Sequence, residues 1–254
     1  LGGIYATLCY DHALQYSGAD IVFKGGNELE LLKIIVKFTN FKLRIENCVL
    51  GIDKLPYPAF DLYPQLDYFS ILTSKGCPFH CSYCATPVLA REFTMRDPFK
   101  VVEEIEYWTN RYPIQNIAFY DDALLIKPSQ HIIPILKEMN GRGIQCNFHT
   151  PNGLHIKEID RELADLLFRS QFKIIRLGFE TSDELTQIET GGKVDNQEFE
   201  NSVKNLKRAG YSREEIGVYI MVGLPGQRVE EVEESINFVR ENGARPVSYT
   251  HLRA

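Results

Sequence analysis

A chain of 254 residues with 44% hydrophobic and 24% charged side chains has the composition of a globular protein able to bury a sizeable core. It contains no apolar run of the roughly 18 residues that a membrane span needs, and its expected location is the cytoplasm. A net charge of −6 argues against non-specific nucleic-acid binding, which relies on basic surface, without excluding a local basic patch.

Gly2-Gly3-Ile4-Tyr5-Ala6-Thr7 reads as a strand end and tight turn, Ala19 to Gly26 as a short strand closed by glycines, and Glu28 to Phe38 as a helix. Residues 1–40 are therefore expected to be the closing elements of an α/β domain. Residues 41–67 carry Leu55-Pro56-Tyr57-Pro58 and Tyr63-Pro64. Proline cannot donate to a ladder and biases its predecessor away from helix, so a linker without chemistry is expected there.

From Tyr68 onward strands and helices alternate. Strands are predicted at 69–73, 116–120, 144–148, 173–178 and 216–222. Between and after them, apolar residues recur at helical spacing: Val101, Ile105 and Trp108, then Ile132, Leu136 and Met139, then Ile159, Leu163, Leu166 and Leu167. Phe199, Val203 and Leu206 mark the next helix, and Val232, Ile236 and Val239 the last. Asp97-Pro98 reads as an N-cap with proline at the first helical position. Five βα units in a row imply a parallel sheet, as a barrel or as an open doubly wound sheet.

The stretch that organises the chain is Lys75-Gly76-Cys77-Pro78-Phe79-His80-Cys81-Ser82-Tyr83-Cys84, with cysteines spaced C-x-x-x-C-x-x-C. Thiolates are the metal-binding form, and three packed together repel unless a positive centre lies between them. Three ligands are one short of a closed tetrahedral site, which leaves an open position on a 4Fe–4S cluster or on zinc. For zinc, His80, Cys146 or His149 are candidate fourth ligands. Six cysteines with three clustered fit a reducing compartment and a metal site better than a disulfide framework. Cys9, Cys48 and Cys146 stand alone and are expected to be buried thiols.

The cysteine stretch resembles the signature of the radical S-adenosylmethionine (SAM) enzymes, and the resemblance spans roughly residues 68–246. It implies a partial (β/α)6 barrel, with three irons held by Cys77, Cys81 and Cys84 and the fourth chelated by SAM. Residues 1–40 resemble the C-terminal remnant of a Rossmann-like cobalamin-binding domain, so cobalamin is an expected cofactor of a longer parent and not of this chain. In parallel α/β folds function gathers at the C-terminal ends of strands, and polar residues recur there. The resemblance implies cofactor contacts at Phe79 and Tyr83 in the cysteine loop, with Tyr83 beside the adenine. It also implies SAM ammonium acceptors at Asp121 and Asp122, and a ribose contact at Glu180. Gly223, Leu224, Pro225 and Gly226 would lie against the adenine, and Lys193 would pair with the SAM carboxylate or stand in solvent. His149 and Asn152 are candidates to face a substrate, whose identity is open, and Arg176 is expected to balance Glu180. A flavodoxin or ferredoxin is the implied electron donor.

Two other functions remain open: cobalamin-dependent methyl transfer within the same superfamily, and a non-catalytic zinc or iron–sulfur module. No second C-x-x-C or H-x-x-x-H pair supports a structural zinc site. The chain reads as cut at both ends. Val247 to Ala254 matches no expected element and resembles sequencing-adapter read-through, so a non-native tail is expected, with the barrel lacking its sixth strand.

Overall fold

The computed structural model describes residues 1–25, 28–38, 52–90 and 92–249. Six parallel strands form one sheet in sequential order: β1 (Tyr68–Ile71), β2 (Asn116–Phe119), β3 (Asn147–His149), β4 (Phe172–Glu180), β5 (Ile216–Met221) and β6 (Arg245–Tyr249). β1 and β6 are edges, so the barrel is partial and open.

Five helices follow the first five strands: α1 (Pro98–Thr109), α2 (Ile132–Gly141), α3 (Arg161–Arg169), α4 (Asn196–Ala209) and α5 (Val229–Glu241). Their starts are encoded locally. Asp97 accepts from Phe99 N and Lys100 N ahead of Pro98, Asp160 caps α3 through Leu163 N, and Asp195 with Glu198 forms a capping box on α4. Pro134 is tolerated because it lies in the first turn of α2, where an N–H has no intrahelical partner.

Strand alternation decides what each face does. Phe69, Ile71, Ile117, Phe119, Phe148, Ile175, Leu177, Phe179, Val218 and Ile220 are buried on the outer face, in one core with the helices. Tyr68, Ser70, Asn116, Ala118, His149, Gly178, Tyr219 and Met221 alternate with them and face the concave side. That inner surface is the chamber.

The sixth strand overturns one expectation. Tyr219 pairs with Val247, Ile220 with Ser248 and Met221 with Tyr249, so the segment read as a non-native tail begins inside a paired strand. Ladder bonds come from backbone, so an unremarkable side-chain pattern can still close an edge. Pro246, lacking an N–H, is accommodated because the strand is an edge. Residues 250–254 lie outside the described residues.

The first residues also differ from expectation. Ile4–Leu8 is a helix where a strand end was expected, and Tyr10–Tyr16 is a second helix. Their buried alanines, Ala6 and Ala13, form a small separate cluster with Val22. Residues 19–25 form no strand, since two bonds with Leu1 (Leu1 N to Ile21 O and Phe23 N to Leu1 O) are their only ladder-like contacts. Glu28–Phe38 is helical as expected. Most of the expected linker's first half, residues 39–51, lies outside the described residues. Its second half packs on the sheet, with Phe60 against Phe69 and Trp108.

Candidate cofactor site

The cysteine loop leaves the end of β1 as a closed excursion, because Ser74–Lys75 pairs antiparallel with Thr94–Met95. Gly76 sits at φ 82°, and a Cβ there would come within 2.6 Å of Glu92 O. Only glycine meets both conditions. On the far side, Ser82 N donates to Thr190 O at 3.1 Å.

Asp121, at the end of β2, ties the root of this loop. Its Oδ1 accepts from Thr73 N at 2.9 Å, Thr73 Oγ1 at 2.8 Å and Ser74 Oγ at 2.6 Å. Thr73 has one hydroxyl proton and gives it to Asp121, so His131 Nε2 must carry the hydrogen of its 2.8 Å bond to Thr73 Oγ1. Burial lifts the Asp121 carboxyl to about 6, against the pull of the Ser74 and Thr73 donors. Burial, with Arg96 nearby, lowers His131 to about 4. Arg96 bonds Glu104 at 2.6 Å and Leu72 O at 3.0 Å, extending the network beneath the loop.

The three thiols share one electrostatic environment. Burial pushes the Cys77 thiol up, and Cys81, Cys84 and Asp122 push it the same way. Burial also raises Cys81, opposed by Lys193 and a hydrogen bond from Tyr83. Cys84 is exposed and receives the Thr86 N–H at 3.4 Å. Thiols raised by burial and by one another need a positive centre to stand as thiolates. The donor set fits an iron–sulfur cluster held by three cysteines. Among the described residues no three His, Cys, Asp or Glu side chains converge on one ion, and three irons held one per cysteine do not require that.

A cavity of about 320 Å³ opens beside the loop, a volume at the lower end of small-molecule sites. Tyr83, Cys84, Asn152, Gly178, Glu180, Lys193, Tyr219 and Met221 are among its walls. Five residues singled out in the sequence therefore meet there: Tyr83, Cys84, Asn152, Glu180 and Lys193. Glu180 follows a register shift in β4 and adopts φ 69°, an uncommon conformation for a residue with a side chain. Its Oε1 lies 2.9 Å from Lys193 Nζ. Arg176 is thus not the partner of Glu180, because Lys193 occupies that role.

Other expected residues stand elsewhere. Phe79 stacks on His155, with ring centroids 5.0 Å apart and 17° between planes. The first two N–H groups of Gly223-Leu224-Pro225-Gly226 turn to Gln227 Oε1, at 2.8 and 3.2 Å, and none of the four residues lines the cavity. Asp121 is 3% exposed and faces the loop root, while Asp122 is exposed. His149 bonds Asn116 Oδ1 at 3.0 Å in a separate cavity of about 610 Å³, which Asp67 and Tyr68 also line. Cys146 is buried and bonds Ile114 O, and Cys9 is exposed, contrary to expectation. Cys48 lies outside the described residues.

His155 was not foreseen. Its Nε2 lies 3.8 Å from Cys77 Sγ, and burial, with Lys193, lowers its pKa to about 4, so the ring is neutral. No spacing in Gly153-Leu154-His155 marks it. A tertiary feature, the bridge between Leu154 and Leu177, brings it to the cysteines.

With this geometry in place, comparison with known proteins identifies the class. The chain belongs to the Radical SAM superfamily, whose model matches residues 71–239. Members of that superfamily work with a 4Fe–4S cluster and SAM. An uncharacterised methyltransferase of Pyrococcus horikoshii is 23% identical over 92% of this chain and 53% of its own length. The anaerobic magnesium-protoporphyrin IX monomethyl ester cyclase of Rubrivivax gelatinosus is 25% identical over 95% of this chain and 48% of its own. The chain spans about half the length of these relatives. Among solved structures, the radical SAM methyltransferase TsrM of Kitasatospora setae, with cobalamin and a [4Fe-4S] cluster bound, superposes with a TM-score of 0.61. The match has 19% identity and covers 71% of this chain and 36% of that one. No helix among the described residues is long and apolar enough to cross a membrane.

Proposed function

We propose that Cys77, Cys81 and Cys84 hold a 4Fe–4S cluster, and that the cavity running from Cys84 to Glu180 holds SAM for radical chemistry on a substrate in the chamber. The observation that carries this is a cavity walled by both the cysteine loop and the ends of β4 and β5. When bound, such a cluster supplies one electron to the sulfonium of SAM, releasing methionine and a 5′-deoxyadenosyl radical.

The chain's own residues bind and orient. Tyr83 presents a ring to the adenine, Glu180 offers its carboxylate to the ribose hydroxyls, and Lys193 is placed for the SAM carboxylate. Asp122, exposed near Cys77, offers an acceptor to the ammonium. Asp121 acts at one remove by fixing Thr73 and Ser74, from which the loop springs. Phe79 and His155 form a flat, water-excluding wall beside Cys77. An external one-electron donor, such as a flavodoxin or ferredoxin, belongs to the same proposal.

A second reading within the superfamily is methyl transfer, favoured by the relatives whose names describe methyltransferases. Cobalamin, if used, would be held by a part of a longer protein. The test is anaerobic incubation of the reconstituted, reduced protein with SAM. 5′-Deoxyadenosine supports radical cleavage, and S-adenosylhomocysteine formed alongside it supports methyl transfer. Neither product from cluster-loaded protein would overturn both.

A further inference from the structure

The chamber contains a feature that cofactor binding does not use. Arg176 of β4 pairs in register with Gly217 of β5, which pairs with Arg245 of β6. Gly178, Tyr219 and Met221 identify this parity as the inner face. The three residues therefore make one row: a guanidinium, a position without a side chain, and a second guanidinium. Strand spacing sets the two arginine backbones about 10 Å apart.

Arg176 lies flat across the gap. A Cβ on Gly217 would come 2.5 Å from Arg176 Nη1 and 3.0 Å from its Cζ, so glycine at 217 is what lets the guanidinium reach toward β6. Among the described residues its one hydrogen bond is a long 3.4 Å contact from Nη1 to Ile175 O. Neither arginine forms an ion pair among the described residues. Along all six strands the only carboxylate is Glu180, and Lys193 already holds it. Two arginines in one row, on strands of which Glu180 is the only carboxylate, with Asp67 lining the inner face at the opposite edge of the sheet beside Tyr68, favour an anion between them. Guanidinium is the cation best shaped for a carboxylate or phosphate, which it grips with two parallel N–H bonds.

We infer that Arg176, Gly217 and Arg245 form an anion subsite of the substrate chamber, taking a carboxylate or phosphate group of the substrate. This rests on the proposal that the chamber is where substrate binds. Four residue steps along the strand separate Arg176 from Glu180, roughly 13 Å at extended rise. The anionic group is thus held well below the cofactor cavity, and the substrate it belongs to is elongated.

The subsite is testable without cluster or SAM. Isothermal titration of the whole chain at low salt uses inorganic pyrophosphate in one arm and glutarate in the other. Saturable one-to-one binding of either probe is expected, and the better probe tells phosphate from carboxylate recognition. Arg176→Gln and Arg245→Gln should each weaken it at least tenfold, while Arg142→Gln, a surface control, should not. Should Arg176→Gln fail to fold by circular dichroism, Arg176→Lys and Gly217→Ala take its place, and both should weaken binding. Cys77→Ala should bind the probe like wild type, so loss of the cluster and loss of the anion site are separately visible. No saturable binding of either probe, or binding indifferent to the arginine and Gly217 variants, would overturn the inference.

Discussion

Glu180 Oε1 and Lys193 Nζ close on each other at 2.9 Å on the cavity wall, with their side chains only 14% and 17% exposed. The ion pair holds in place two groups that the resemblance assigns to different ends of SAM. Glu180→Gln keeps the shape and removes the charge. SAM affinity measured by equilibrium dialysis should fall by about 1.5–3 kcal/mol, the usual worth of a charge-assisted hydrogen bond. Iron content should stay at the wild-type level. Unchanged affinity in the folded variant would remove Glu180 from the SAM site.

Asp121 and Asp122 are adjacent in sequence and different in role. Asp121→Ala strands three buried donors, Thr73 N–H, Thr73 O–H and Ser74 O–H, each costing about 1–3 kcal/mol when unsatisfied. Unfolding in urea should show a loss of several kcal/mol together with poorer iron incorporation. Asp122→Ala should leave stability within about 0.5 kcal/mol, as an exposed position does. Equal effects from the two variants would contradict this division.

His131 sets a pH dependence of known sign. Its folded pKa is depressed to about 4 by burial and by Arg96, with Asp53 opposing. Its contribution to stability is therefore present above about 6.5, declines as pH falls from there, and is lost by about 4. The size is up to about 3 kcal/mol. Asp121, raised to about 6, acts in the opposite direction over nearly the same window, since protonation there favours the folded state. Urea midpoints between pH 7 and 4 should fall less steeply for His131→Gln than for wild type, and more steeply for Asp121→Asn. His155 contributes the same slope to every variant and cancels. Parallel curves would exclude both assignments.

Local signals in the chain were enough for the sheet and for the ligand loop. The outer-face apolar residues of each strand, the Asp97-Pro98 start and the Asp195–Glu198 box are all readable within a few neighbours. Tyr83, Glu180 and Lys193, singled out by their place in loops and at a strand end, line one cavity. What escaped depends on distance in sequence. His155 reaches Cys77 across 78 positions, and the bond from Thr73 to Asp121 spans 48. Arg176 was assigned to Glu180 because the two share a strand, whereas Lys193 arrives from the following loop. The sixth strand was missed because backbone pairing leaves little side-chain signature at an edge.

That edge gives a further prediction. Ending the chain at Ala244 removes the five register pairs that cover β5 and exposes its ladder. A loss of about 1 kcal/mol would lower Tm by about 2–4 °C for a domain of this size. Scanning calorimetry should show at least that fall, and light scattering should show earlier aggregation. Identical melting of the two chains would mean that the pairing of Arg245–Tyr249 contributes no stability.

The central claim is that three cysteines on one loop hold an iron–sulfur cluster. Anaerobic reconstitution followed by iron, sulfide and zinc analysis tests it directly. The expected result is about four irons and four sulfides per chain, as a 4Fe–4S centre requires, with the cluster lost when Cys77, Cys81 or Cys84 is replaced by Ala. Stoichiometric zinc without sulfide would contradict it.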